Sequence, residues 1–172
     1  MKGHIFLTGE VQVGKSTIIR RALYETGKSA GGFFTFTGKP RADGSAEVYL
    51  LAPDDGEETL APESCVGVRT GRGLGFTALP EVFDRRGTEL IKRAAGRQII
   101  VMDELGLMEE DAPIFKKAVL DCIFGEKQVI GVIKPKKSEF LDAVRCNPRV
   151  TVITVTEENR ESVLRCVIEF FK

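Results

Sequence analysis

Two rhythms of apolar and polar residues alternate along this 172-residue chain. One is a short apolar run, the other a helical period. His4-Ile5-Phe6-Leu7-Thr8 predicts a strand. From Ser16 to about Thr26, Ile18, Ile19, Ala22 and Leu23 share one helical face, and Gly27 is placed to end the helix. The rhythm changes between Gly31 and Arg69. Gly32 to Thr37 and Ala46 to Leu51 read as strands joined by the turn-rich segment Gly38 to Ser45, which predicts an antiparallel hairpin. A further short strand is expected at Cys65 to Val68, and the acidic stretch Asp54 to Glu58 reads as a solvated loop.

Helix and strand then alternate regularly. Pro80 to about Ala95 predicts a helix with Val82, Phe83, Leu90, Ile91 and Ala94 inward, although Gly87 is a poor helix former. Gln98 to Asp103 is an unbroken apolar strand ending in acid. Asp111 is placed to cap a helix that has Pro113 in its first turn and Ile114, Phe115, Ala118, Val119, Cys122 and Ile123 on its buried face. Strands at Lys127 to Ile133 and Val150 to Val155 alternate with helices at Ser138 to Arg145 and Glu157 to Phe171. This alternation predicts an α/β fold of three layers. Its central sheet is mostly parallel, with the hairpin as an antiparallel insertion.

Composition narrows the class. A hydrophobic share of 42% is enough for one well-packed domain, here expected to span residues 1–172. The formal net charge is +0, from 25 basic and 25 acidic residues, so no global field draws the chain to nucleic acid or to an anionic membrane. The N-terminus does not read as a signal peptide, and no apolar run is long enough to span a bilayer. Cys65, Cys122, Cys146 and Cys166 form no Cys-x-x-Cys pair, and His4 is the only imidazole. Reduced thiols in or near the core of a cytoplasmic protein are therefore expected, and a zinc site is not.

The chemistry begins after the first strand. Gly9-Glu10-Val11-Gln12-Val13-Gly14-Lys15-Ser16-Thr17 fits the phosphate-binding pattern G-x-x-x-x-G-K-[ST], between a strand and a helix as that pattern requires. Backbone N–H groups of such a loop, and the N-terminus of the helix behind it, meet the charges of a triphosphate. Lys15 adds a point charge at the β- and γ-phosphates, the Ser16 hydroxyl is a Mg2+ ligand, and Thr17 is placed to donate to the α-phosphate. The three-layer fold is thereby expected to be of the P-loop NTPase kind. Asp103 and Glu104 end a strand on the ligand face of such a sheet. Asp103 is expected to hold Mg2+ through water. Glu104 is expected to orient and deprotonate an attacking water, which favours hydrolysis over transfer.

Several segments together resemble the THEP1-type nucleoside-triphosphatases, small P-loop proteins related to the RecA-like group. They are the Gly9 to Thr17 loop, Gly32-Phe33-Phe34-Thr35, Val66-Gly67, Asp103-Glu104-Leu105-Gly106-Leu107-Met108-Glu109 and Val155-Thr156-Glu157-Glu158-Asn159-Arg160. The resemblance implies Mg2+-dependent hydrolysis of a nucleoside triphosphate to diphosphate and phosphate, slow and with loose base preference. Departures from the family pattern are Val11-Gln12 for Pro-Gly, Phe36-Thr37 for two acids, Lys39 near the place of an Arg, Leu105 for Ile and Leu107 for Lys.

A further cation would help charge developing on the γ-phosphate. Arg69, Arg72, Lys134 and Arg160 are the candidates, with Arg160 named as catalytic beside Lys15 and Glu104 because it lies in the family-like motif. Asn159 is expected to cap or brace the last helix. Two basic groups, Lys134/Lys136/Lys137 and Arg85/Arg86/Lys92/Arg93/Arg97, read as charged faces rather than a nucleic-acid surface, and Phe33, Phe34 and Phe36 read as core rather than base-stacking. The expected partner is a nucleoside triphosphate, with no membrane and a monomeric chain. Two alternatives stay open at this point: a nucleotide or nucleoside kinase, and a nucleotide-switched RNA-binding module.

Overall fold

The computed structural model describes residues 3–71 and 75–172. Its strands are β1 His4–Thr8, β2 Ala30–Thr37, β3 Ala46–Leu51, β4 Cys65–Arg69, β5 Phe76–Ala78, β6 Ile99–Leu105, β7 Val129–Ile133 and β8 Val150–Thr154. The helices are α1 Lys15–Thr26, the composite α2 over 80–96, α3 Pro113–Phe124, α4 Glu139–Arg145 and α5 Arg160–Phe171. One sheet runs in the order β5-β4-β3-β2-β6-β7-β1-β8. Pairing is parallel from β2 through β8 and antiparallel from β2 through β5. The expected three-layer α/β fold is thus present, and the antiparallel part goes beyond a hairpin. β5 was not predicted, because three residues in a Gly-rich stretch carry no readable period.

Alternation along β2 divides the core. Phe33 points into a cluster beneath α2, α3 and α4, and Phe34 into one beneath α1 and α5. Phe115 joins the first cluster by packing against Phe33 and Phe83, with ring centroids 5.5 and 5.3 Å apart. Phe115 also explains Gly87. A Cβ there would stand 2.4 Å from the Phe115 ring. Gly87 lies in a π-helical segment, Phe83–Gly87, inside the predicted helix. Close packing of α2 on α3, rather than helix propensity, selects the glycine.

His4 is buried and holds three elements together. Its Nε2 donates to the carbonyl of Ile123 at 2.9 Å, and its Nδ1 accepts from the Val129 N–H at 3.2 Å. Burial keeps its imidazole below the ordinary pKa, hence neutral.

Several local expectations are corrected. Asp111 does not cap α3; Asp84 reaches across from α2 and accepts from the Phe115 N–H at 2.8 Å. Ile114 is 60% exposed rather than on the buried face of α3. β6 continues past Asp103 to Leu105. α5 begins at Arg160, three residues later than expected, because Asn159 braces the approach to it. Its Oδ1 accepts from the Thr156 N–H and its Nδ2 donates to the Thr154 carbonyl. The four cysteines are unpaired, and Cys146 and Cys166 are exposed rather than packed. No helix among the described residues is long and apolar enough to cross a membrane.

Candidate active site

β1 delivers the chain into the phosphate loop at the C-terminal edge of the parallel strands. Gly9 has φ 130°, and a Cβ there would lie 2.5 Å from the Val155 carbonyl, so the loop can pass the end of β8 only with glycine. Gly14 precedes α1 with φ 99°. Gln12, at the family's glycine position, has φ 63° and takes a left-handed conformation with a full side chain. The neighbouring Val11 is 84% exposed. Lys15 lies at the start of α1, with its ammonium folded onto the carbonyls of Gly9 at 3.0 Å and Glu10 at 2.5 Å. Partial burial lowers its pKa, against the opposing pull of Glu104 and Asp103.

Ser16 and Asp103 are brought together, with the Ser16 side chain close enough to act on the Asp103 carboxyl. Burial raises the Asp103 carboxyl to about 6, and Glu104 adds to the shift while Ser16, Arg20 and Lys15 oppose it. Its Oδ2 is buried and has no hydrogen-bond partner among the described residues. Such an atom costs about 1–3 kcal/mol unless something meets it. Arg20 stays nearby, its guanidinium 3.7 Å above the Phe34 ring.

Neighbouring residues on a strand point to opposite faces, so Asp103 and Glu104 should not share a site. A bulge resolves this. Asp103 pairs with Val132 and Leu105 with Ile133, so Glu104 is the extra residue on β6. Its N–H donates to Thr35 Oγ1 on β2 at 3.0 Å. The peptide between Asp103 and Glu104 is cis. The Glu104 carboxylate lies in the same cavity as the phosphate loop. That cavity, of about 630 Å³, is closed on its far side by Arg69 and by Val132 to Lys136.

Two of the cation candidates meet there. Glu104 Oε1 accepts from Arg69 Nη2 at 3.2 Å and forms an ion pair with Lys134 Nζ at 3.0 Å. Arg160 lies elsewhere, on the β8 side of the loop. Its Cδ and Nε are 3.8 Å from where a Gly14 Cβ would be, and its Nη2 faces Glu157 at 3.4 Å. Arg72 lies outside the described residues. Most of the second basic group is engaged with acids or carbonyls: Arg86 with Asp55 and Glu89, Arg93 with Glu89, Arg97 with Asp54, and Arg85 with the Glu63 carbonyl.

Three residues at the site were given no role by the sequence. Thr35 anchors the backbone of Glu104. Arg145 on α4 donates to the carbonyls of Lys134 and Lys136, the latter at 2.6 Å, and so pins the loop that carries Lys134. Glu109 is only 2% exposed and accepts from the Gly106 N–H at 2.6 Å, folding the chain back beneath Glu104. Burial lifts the Glu109 carboxyl to about 7, with the Gly106 bond opposing and the Glu104 charge adding. An acid among Leu105, Leu107, Met108 and Ala112 was a readable sign of a buried carboxyl in need of a donor.

Comparison with known proteins identifies the family. The model of the family described as NTPase matches residues 4–168. The nucleoside-triphosphatase THEP1 of Methanocaldococcus jannaschii is 31% identical over 172 residues, covering 95% of this chain and 94% of its own. THEP1 of Thermotoga sp. (strain RQ2) is 28% identical and covers 98% and 95%. The human cancer-related nucleoside-triphosphatase is also 28% identical, covering 98% and 96%. The crystal structure of THEP1 from Aquifex aeolicus superposes with a TM-score of 0.78 at 22% identity, over 98% of this chain and 99% of that one, and so shares the fold. The chain belongs to the NTPase family, among the THEP1-type nucleoside-triphosphatases.

Proposed function

We propose that this protein hydrolyses nucleoside triphosphates, ATP and GTP among them, to the diphosphate and inorganic phosphate with Mg2+, as a cytoplasmic monomer. The observation that carries the reading is the bulge at Glu104, which sets a carboxylate across the cavity from the phosphate loop and beside the Ser16–Asp103 pair. The unpartnered, buried Asp103 Oδ2 and the Ser16 hydroxyl suit a hard divalent cation with its water shell. When bound, Mg2+ neutralises charge on the β- and γ-phosphate oxygens.

The chain's own residues do the rest. Backbone N–H groups from Gly9 to Thr17 and the N-terminus of α1 hold the phosphates. Lys15 turns from the Gly9 and Glu10 carbonyls to the β- and γ-phosphates. Glu104 takes a proton from a water whose oxygen bonds to the γ-phosphorus. The bond from that phosphorus to the β,γ-bridging oxygen breaks, and its electron pair leaves on the diphosphate. Arg160, set beside Gly14, acts on the nucleotide from the β8 side of the loop.

Replacing Glu104 by Gln keeps the shape and removes the base. Phosphate release should fall by about 100- to 10,000-fold, while calorimetry shows the nucleotide still binding. Wild-type phosphate release from Glu104→Gln would remove the assignment.

A further inference from the structure

The carboxylate proposed as base is engaged. Glu104 Oε1 already accepts from Arg69 at 3.2 Å and is ion-paired with Lys134 at 3.0 Å. An oxygen that holds a charge-assisted hydrogen bond and a second cation beside it is badly placed to take a proton from water. Something must draw those cations away before hydrolysis, and their construction suggests what. Arg69 is the last residue of β4 and Lys134 the first after β7. Both backbones are fixed: β4 pairs on each side, and the Lys134 N–H donates to the Leu105 carbonyl at 2.9 Å while Arg145 holds its carbonyl. Both side chains are about one-third exposed, at 35% and 32%, into the cavity they share with the phosphate loop. Part-solvated charged tips on fixed backbones can exchange one anion for another at little cost.

We propose that Arg69 and Lys134 form a latch on Glu104 that the terminal phosphate of a triphosphate opens. The inference rests on the hydrolytic reading of the site. A γ-phosphate offers more charge and more acceptor oxygens than one carboxylate edge. It draws both cations onto itself, frees Glu104 to receive the proton, and leaves two cations where charge develops in the transition state. A diphosphate ends one phosphate short of the two side chains and leaves the latch closed. The pair thereby links activation of the base to the presence of the group to be cleaved, and discriminates triphosphate substrate from diphosphate product.

The test uses the full chain as wild type, Arg69→Met, Lys134→Met and Arg69→Lys, with melting curves to establish folding. Phosphate release is measured with Mg2+, and calorimetry gives affinities for a β,γ-imido triphosphate and for the diphosphate. Each Met variant is expected to lower kcat by about 100-fold and to weaken the imido triphosphate by about tenfold, with diphosphate affinity unchanged. Arg69→Lys should recover part of both losses, which a merely structural role would not show. Turnover close to wild type in both Met variants, or equal loss of triphosphate and diphosphate affinity, overturns the latch. Failure of the wild type to release phosphate from any triphosphate overturns the hydrolytic reading instead. The triphosphate-selective binding loss then still decides whether the two cations meet a terminal phosphate.

Discussion

The parallel and antiparallel halves of the sheet build the site in different ways. In β2, β6, β7, β1 and β8 every strand points the same way, so all their C-terminal ends meet at one edge. Phosphate loop, Asp103, Glu104, Lys134 and Arg160 follow from that direction alone. In β3, β4 and β5 direction reverses at each step. β4 alone of the three runs with β2, and its last residue is Arg69. One half thus supplies the machinery, and among the described residues the other reaches it through the Arg69 guanidinium. An antiparallel extension can add a long-range partner without disturbing the nucleotide-binding frame.

The comparison can be broken first at the packing that supports both halves. Gly87 places α2 against Phe115 under the sheet and near Leu50 of β3. Helix propensity favours Ala there by about 1 kcal/mol. The 2.4 Å approach to a buried ring predicts the opposite sign, a loss of about 1–3 kcal/mol from overpacking. Urea denaturation of Gly87→Ala decides between them; greater stability than wild type would mean that the close approach does not constrain α2.

Glu109 sharpens the comparison at the seam, since its carboxyl lies beneath the Glu104 that both halves grip. Its native value, about 7, stands above the ordinary 4.5, so the fold favours the protonated acid. That contribution is whole below about pH 4.5 and is lost as pH rises through about 7. Asp103 acts in the same direction and His4 in the opposite one, but both remain in a Glu109→Gln variant. The Gln carbonyl can still accept from Gly106. Melting temperatures in a chelator should therefore move in favour of Glu109→Gln as pH rises from 5 to 8. A difference from wild type that does not change with pH would argue against a protonated Glu109.

The smallest effect lies in the phosphate loop. Gln12 holds φ 63°, where a residue with a Cβ is disfavoured. Gln12→Gly should stabilise the fold by up to about 1 kcal/mol, less whatever the freer unfolded chain regains. Destabilisation on thermal melting would show that the Gln side chain contributes more than its backbone costs.

Much of this was legible because it is local. The apolar period placed α1, β6, β7 and α4 within a few residues, and the phosphate loop announces itself in nine consecutive residues. Boundaries slipped where distant residues intervene. Asp84 displaced Asp111 as the group meeting the first turn of α3, and Asn159 delayed α5 by bonding back to Thr154 and Thr156. Arg69 and Lys134 stood among several equal candidates in the sequence, because nothing local separates one solvated cation from another.

The sequence by itself determined the alternating fold, the phosphate loop and the Asp103–Glu104 pair, since each rests on neighbours in the chain or on a repeating period. Tertiary structure alone decided that Glu104 leaves the strand's alternation, that Thr35 and Glu109 hold its surroundings, and that Arg69 and Lys134 close on it. Residues 69, 104 and 134 meet at one oxygen only because three strands, two parallel neighbours and one beyond a reversal, end at the same edge of the sheet.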